Sequence, residues 1–186
     1  MLKSFKIWLK RYWRSKGFGI HSPFAYMFVT EIVHCPYSYY AYAEIADSHA
    51  KQFDKKKFHD AKLLHRVAAR FSINRSVVSE DEDEVIKKTL LLANSGMELA
   101  TSIQQTNGQI VYISKLEERL MEKLTMLIES DMVFIFFRGL KKDEAMKSWF
   151  SRMAEQLVHG VALKDSDLGI IVVNKKMPAM SFDVKL

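Results

Sequence analysis

The sequence predicts an α/β fold: a three-layer, mainly parallel sheet behind an all-helical front. Three observations carry this. Up to about residue 71 the apolar residues recur at the spacing of an amphipathic helix. Beyond that point short apolar runs of strand type alternate with helix-length stretches, as in parallel sheets. The strongest run, Met132–Phe137, is continuous and aromatic, as expected of a strand covered on both faces.

Residues 2–15 read as the first helix, with Phe5, Trp8, Leu9, Tyr12 and Trp13 on one face and Gly17 and Gly19 beyond its end. Ser22 is a natural cap for the second, and Pro23 suits the first helical position, where no N–H is needed. Phe24, Phe28 and Ile32 line that helix, and Pro36 stops it. A third helix is expected from Tyr40 to about Lys56 and a fourth from His59 to Phe71. A short strand over Ser76–Ser79 comes next, then helices over 85–94 and 97–105. Asn107-Gly108 is a turn signal before a buried strand, Gln109–Ser114. A helix over 115–129, the strand 132–137 and a helix over 142–158 follow. Gly169–Asn174 and Phe182–Leu186 are the last strands. Residues 1–72 are thus a helical N-terminal extension and 73–186 an α/β core, in one compact unit.

The chain of 186 residues is 48% hydrophobic, with a mean hydropathy of −0.10, ordinary for a soluble globular protein. No apolar run approaches the roughly 20 residues of a membrane-spanning helix. The N-terminus has no secretory h-region, and the single Cys35 rules out an internal disulfide, so a cytoplasmic location is the default expectation. The net charge of +6 is local: Lys3, Lys6, Lys10, Arg11, Arg14 and Lys16 stand in the first 16 residues with no acid. The remaining residues carry 22 bases against 22 acids. The basic balance therefore belongs to one helix and not to a binding face spread over the domain.

Three stretches together resemble a group of bacterial class I S-adenosylmethionine-dependent methyltransferase-like proteins. They are GFGIHSPFAYMFVTEIV (17–33) with YYAYAEI (39–45), AKLLHRVAARFSINRSVV (61–78), and DMVFIFF (131–137) through Trp149 to DLGIIVVNKK and FDVKL. The resemblance implies a Rossmann-like, methyltransferase-type sheet with an antiparallel C-terminal strand. It also supplies three cofactor and catalytic features to look for. The family's acid-then-glycine loop after the first strand is replaced by Glu80–Glu84, with no glycine before Gly96. That run cannot supply the positive φ such a loop needs, and it repels a ligand carboxylate. The family's ribose-binding acid at the end of the second strand is matched by Ser114, followed by Lys115. Its Asp-Asp-x-His cluster is matched by Phe137, Arg138, Gly139 and Leu140, none a base or a divalent-metal ligand. Residues 115–131 leave no room for the family's extra strand and helix, which implies a reduced, narrower sheet.

These departures point to a degenerate, non-catalytic methyltransferase-like protein kept as a binding or scaffold protein, with a protein partner such as an active paralogue. Catalytic residues, metal ligands and a cofactor are not expected. Two other readings stay open. In one, a residual methyltransferase still takes S-adenosylmethionine at Ser79, Glu80 and Ser114. In the other, the N-terminal helix is a surface module for a membrane or RNA through Lys3, Lys6, Trp8, Lys10, Arg11 and Arg14. Against the latter, the same aromatic face could dock on the domain with its lysines in water. The acids at 80–84 lack the ligand spacing of a calcium loop and suit a solvated helix start. His21 suits a structural bond at its helix start, and the six histidines have no compact metal-ligand spacing. Cys35 has no adjacent lysine or arginine to make it reactive. The tyrosines at 37, 39, 40 and 42 fit packing better than base stacking.

Overall fold

The computed structural model describes residues 2–48, 54–79 and 84–186. Helix α1 is Leu2–Ser15 and α2 is Pro23–Met27, where Ser22 Oγ accepts from the Ala25 N–H at 3.2 Å. The α2 coil widens into a π-helical segment, Phe28–Val33, closed by the His34 N–H donating to Val29 O. Helices α3 (Ala41–Ser48) and α4 (Lys55–Arg70) are separate. The expected helix from Tyr40 to Lys56 does not run through. Asp54 is extended, and its carboxylate accepts from the Lys56 and Lys57 N–H groups, so a new helix starts at Lys55.

The strands are β1 (Arg75–Val78), β2 (Glu98–Ala100), β3 (Gln109–Ile113), β4 (Val133–Arg138), β5 (His159–Lys164), β6 (Leu168–Pro178) and β7 (Met180–Asp183). Between them lie α5 (Glu84–Ala93), α6 (Glu118–Leu124) with a 3₁₀ turn over Thr125–Glu129, and α7 (Glu144–Gln156), capped by Asp143. They form one mixed sheet in the order β2-β1-β3-β4-β6-β5-β7. β1 to β4 are mutually parallel, β6 is antiparallel to β4 and β5, and β7 is parallel to β5.

Several expectations change here. The helix over 97–105 is replaced by β2: the Glu98 N–H donates to Asn74 O, and the Glu98 carboxylate pairs with Arg75. β5 is a strand the sequence did not announce, because its run beside Gly160 is short and partners β6 across a tight turn. The antiparallel strand is β6, not the C-terminal one. Among the described residues the sheet has seven strands, and β3 leads through α6 to β4 with no further strand between them. The helix over 115–129 begins only at Glu118 and tightens after Leu124.

Side chains alternate cleanly between the two faces. Ile110, Tyr112, Phe134, Phe136, Ile170 and Val172 point to the face covered by α2 to α5. Val111, Ile113, Val133, Ile135, Phe137 and Ile171 point to the face covered by α6 and α7. The N-terminal helices therefore form one of the two covering layers. A run of rings joins them to the sheet: Phe28 stacks on Phe134 at 6.1 Å and Phe71 lies 4.8 Å from Phe134. Two glycines within the strands permit close approach. Gly160 (φ +128°) sits in a bulge where a Cβ would fall 2.0 Å from Val172 O, and at Gly169 a Cβ would fall 2.4 Å from the Phe150 ring.

Candidate functional site

In an open parallel sheet the place for a ligand is beyond the carboxyl ends of the strands, where the strand order reverses. Here the chain leaves β1 through α5 to β2 on one side and returns to β3 on the other, so that point is the β1/β3 seam. The seam is closed. Ser79 continues β1, its N–H donating to Tyr112 O, and its fully buried hydroxyl lies 2.8 Å from the Ser114 hydroxyl. The Ser114 N–H also donates to Ser79 Oγ at 3.3 Å. Ser79 and Ser114 thus converge, but on each other. Glu80 lies outside the described residues, as do Asp81, Glu82 and Asp83. Glu84 opens α5, exposed, and pairs with Lys87 at 3.0 Å. The assignment of Ser114 to the end of the second strand is corrected: that strand is β2, and Ser114 follows the third.

Beside the seam lies a polar cluster. Asp60, 2% exposed on α4, accepts from the Tyr112 hydroxyl at 2.8 Å and from Arg138 Nε at 2.6 Å, and a second guanidinium nitrogen reaches its other oxygen. Arg138 ends β4, and its remaining nitrogen lies 3.5 Å from Asp167, which also binds Lys56 Nζ at 2.5 Å. Asp167 sits in the β5–β6 turn, and its carbonyl accepts from the Gly139 and Leu140 N–H groups. Two carboxylates and two cations therefore neutralise one another, with a two-pronged guanidinium at the centre. Burial would lower the Arg138 pKa, but the hydrogen bonds and charge of Asp60, with Tyr112 and Asp167, hold it above the ordinary arginine value. For Asp167, burial acts upward but is outweighed by Lys56 and Arg138, and its pKa stays below the ordinary carboxylate value. A carboxylate held charged this way is a poor proton acceptor at neutral pH.

The hollow over this cluster measures about 200 Å³ and is bordered by Asp60, Tyr112, Ser114, Arg138, Lys142 and Asp167. Ligand pockets usually run from about 300 to 1,000 Å³. A second hollow, about 340 Å³, lies on the β2 side of β1, bordered by Ser76, Val78, Glu84, Lys87, Thr101 and Arg119. The buried Ser76 hydroxyl beside it has no hydrogen-bond partner among the described residues. No group of three His, Cys, Asp or Glu side chains suited to a metal ion occurs among the described residues.

The other flagged residues scatter. His21 is exposed, and the bond at that helix start is made by Ser22. His65 is buried edge-on against Tyr39 and Tyr42. Burial, with the nearby Arg66 charge, holds its pKa below the ordinary histidine value. Arg66 donates to the carbonyls of Ile32 and Val33 and to the Tyr42 hydroxyl, tying α4 to the end of the π-helical segment.

Of the basic helix, Arg11 and Arg14 turn inward to Asp183, while Lys6, Trp8 and Lys10 are exposed. The side chain of Lys3 is outside the described ones. The expectation that the aromatic face docks on the domain is corrected: α1 touches β7 through its arginines and leaves Trp8, Tyr12 and Trp13 exposed.

Sequence reasoning did not single out Asp60, Tyr112 or Asp167. A signal was present: Asp60 falls on the same helical face as Leu63, Leu64 and Val67, and a carboxylate on an apolar face needs a buried cation. No family model, curated protein or solved structure matches this chain.

Proposed function

We propose that this protein is a degenerate methyltransferase-like protein that no longer transfers methyl groups and serves as a binding or scaffold protein, with a protein partner such as an active paralogue. One observation carries the reading: at the β1/β3 seam, where a Rossmann-like sheet would admit its ligand, the Ser79 and Ser114 hydroxyls bond to each other. The neighbouring carboxylates, which could have served as bases, are held by Arg138 and Lys56. Thr101 follows β2, so the position of a ribose-binding acid holds no carboxylate there either. The order β2-β1-β3-β4, with antiparallel β6 inserted before β5, supports ancestry in a reduced Rossmann-like, class I type of sheet. No described helix is long and apolar enough to cross a membrane, and on this reading the protein works in the cytoplasm.

A thermal-shift titration with S-adenosylmethionine and its demethylated product tests the reading. A ligand at about 100 times its Kd adds about 2.7 kcal/mol, which for a domain of this size moves the Tm by about 5–11 °C. No movement is expected with either compound. A second reading, residual cofactor use, is favoured by the 340 Å³ hollow and the unpartnered Ser76 hydroxyl on the β2 side. It expects the Tm to rise, and Ser76→Val to abolish the rise.

A further inference from the structure

We propose that α1 is an interfacial helix that holds the protein on an anionic lipid surface. The inference is independent of whether the sheet keeps a cofactor. A surface helix of a globular protein normally buries its apolar stripe against the body. α1 does the reverse. Among its described side chains, from Lys6 on, those turned to the body are polar: Arg11 lies 3.9 Å from the Asp183 carboxylate, Arg14 donates to Asp183 O at 3.4 Å, and Ser15 is buried. Its aromatic side faces outward, with Trp8 53% and Trp13 49% exposed.

The outward rings form one patch. Trp8 stacks on Tyr12 at 5.6 Å, Tyr12 meets Trp13 at 6.0 Å, and Trp13 meets Phe18 edge-on at 5.3 Å. Phe18, 62% exposed, carries the patch past the end of the helix. Exposed aromatic groups in a row mark a surface that something else covers.

Charge identifies the occupant. The first 16 residues hold six cations and no acid, while the rest of the chain balances 22 against 22. Lys6, Lys10 and Lys16 are exposed around the patch, and the Lys16 ammonium lies 6.0 Å over the Tyr12 ring. Tryptophan and tyrosine suit the headgroup level of a bilayer, and lysines reach from there to anionic headgroups. A 14-residue helix is about 21 Å long, too short to span the hydrocarbon and well suited to lie in its plane.

The test uses the full chain and flotation with phosphatidylcholine vesicles, with and without phosphatidylglycerol. Binding is expected only to the anionic vesicles, falling with added salt and accompanied by a blue shift of tryptophan emission. Lys6→Glu with Lys10→Glu should weaken it on the order of tenfold or more. Trp8→Ser with Trp13→Ser should abolish both binding and blue shift. All four positions are exposed, so the melting temperature should stay unchanged in both variants and separates lost binding from lost fold. Failure of the native chain to float with anionic vesicles overturns the proposal, as does flotation that neither pair alters. So does a concentration-dependent dimer, or binding of a short RNA, that the tryptophan pair abolishes while vesicles stay unbound.

Discussion

Replacing Arg138 by Met tests whether the cluster at the sheet end is a structural lock. The change keeps an unbranched apolar stem and removes the guanidinium. Asp60, 2% exposed, would lose both guanidinium bonds and keep the Tyr112 hydroxyl, while Asp167 would keep Lys56. Breaking a buried pair by deleting one partner costs about 3–5 kcal/mol. Arg138 retains some contact with solvent, its side chain being 17% exposed, which places the loss near the lower end, about 3 kcal/mol. For a domain of this size that lowers the Tm by about 6–12 °C. Urea unfolding followed by two probes measures the loss, and an unchanged m-value shows that stability alone has moved. Adding Asp60→Asn should restore most of it, because the neutral amide no longer needs a cation and its oxygen still accepts from Tyr112. A loss under about 1 kcal/mol, the range of exposed pairs, or a double variant worse than the single, would refute the lock.

Other outcomes follow from the same geometry. Gly160→Ala should destabilise more than Gly169→Ala in thermal melts, since the first meets a backbone carbonyl at 2.0 Å at φ +128° and the second the edge of a ring. Equal effects would contradict the bulge assignment. Ser79→Ala should cost about 1 kcal/mol, as for one buried hydrogen bond, and a gain in stability would show that the serine seam is strained. His65 and His34 both have pKa values below 6.5, in each case chiefly through burial. The unfolded chain therefore takes up these protons first, and stability falls as pH drops below 6.5, until the folded-state values are passed. A second loss sets in below 3.8, where Asp167 is held ionised in the fold. Melting curves across this range should show a smaller loss below 6.5 in His65→Gln, and an unchanged slope would remove His65 from the account.

The elements were legible because a short continuous apolar run such as Val133–Phe137 and the three-to-four spacing of α4 differ so plainly. What could not be read was set by long-range pairing. Glu98–Ala100 has no strand pattern of its own and is a strand because it lies beside β1, with Glu98 at Arg75. β5 is short and needs β6 as its partner. At the candidate site, the family pattern points to Ser79 and Ser114, but their contact across 35 positions of chain depends on the β1–β3 register. Asp60 shows in the sequence only as an acid on an apolar helical face, and Asp167, in a turn, carries no periodic signal. Their meaning comes from Arg138, which arrives from a different element. The exposure of Trp8 and Trp13 ran against the usual rule for helices, which is why that face carries an inference of its own.

The central claim is that the β1/β3 seam no longer admits a cofactor. Isothermal titration of the full chain with S-adenosylmethionine tests it most directly. The account predicts no saturable heat at any concentration the instrument can reach. A one-to-one isotherm in the micromolar range would contradict it.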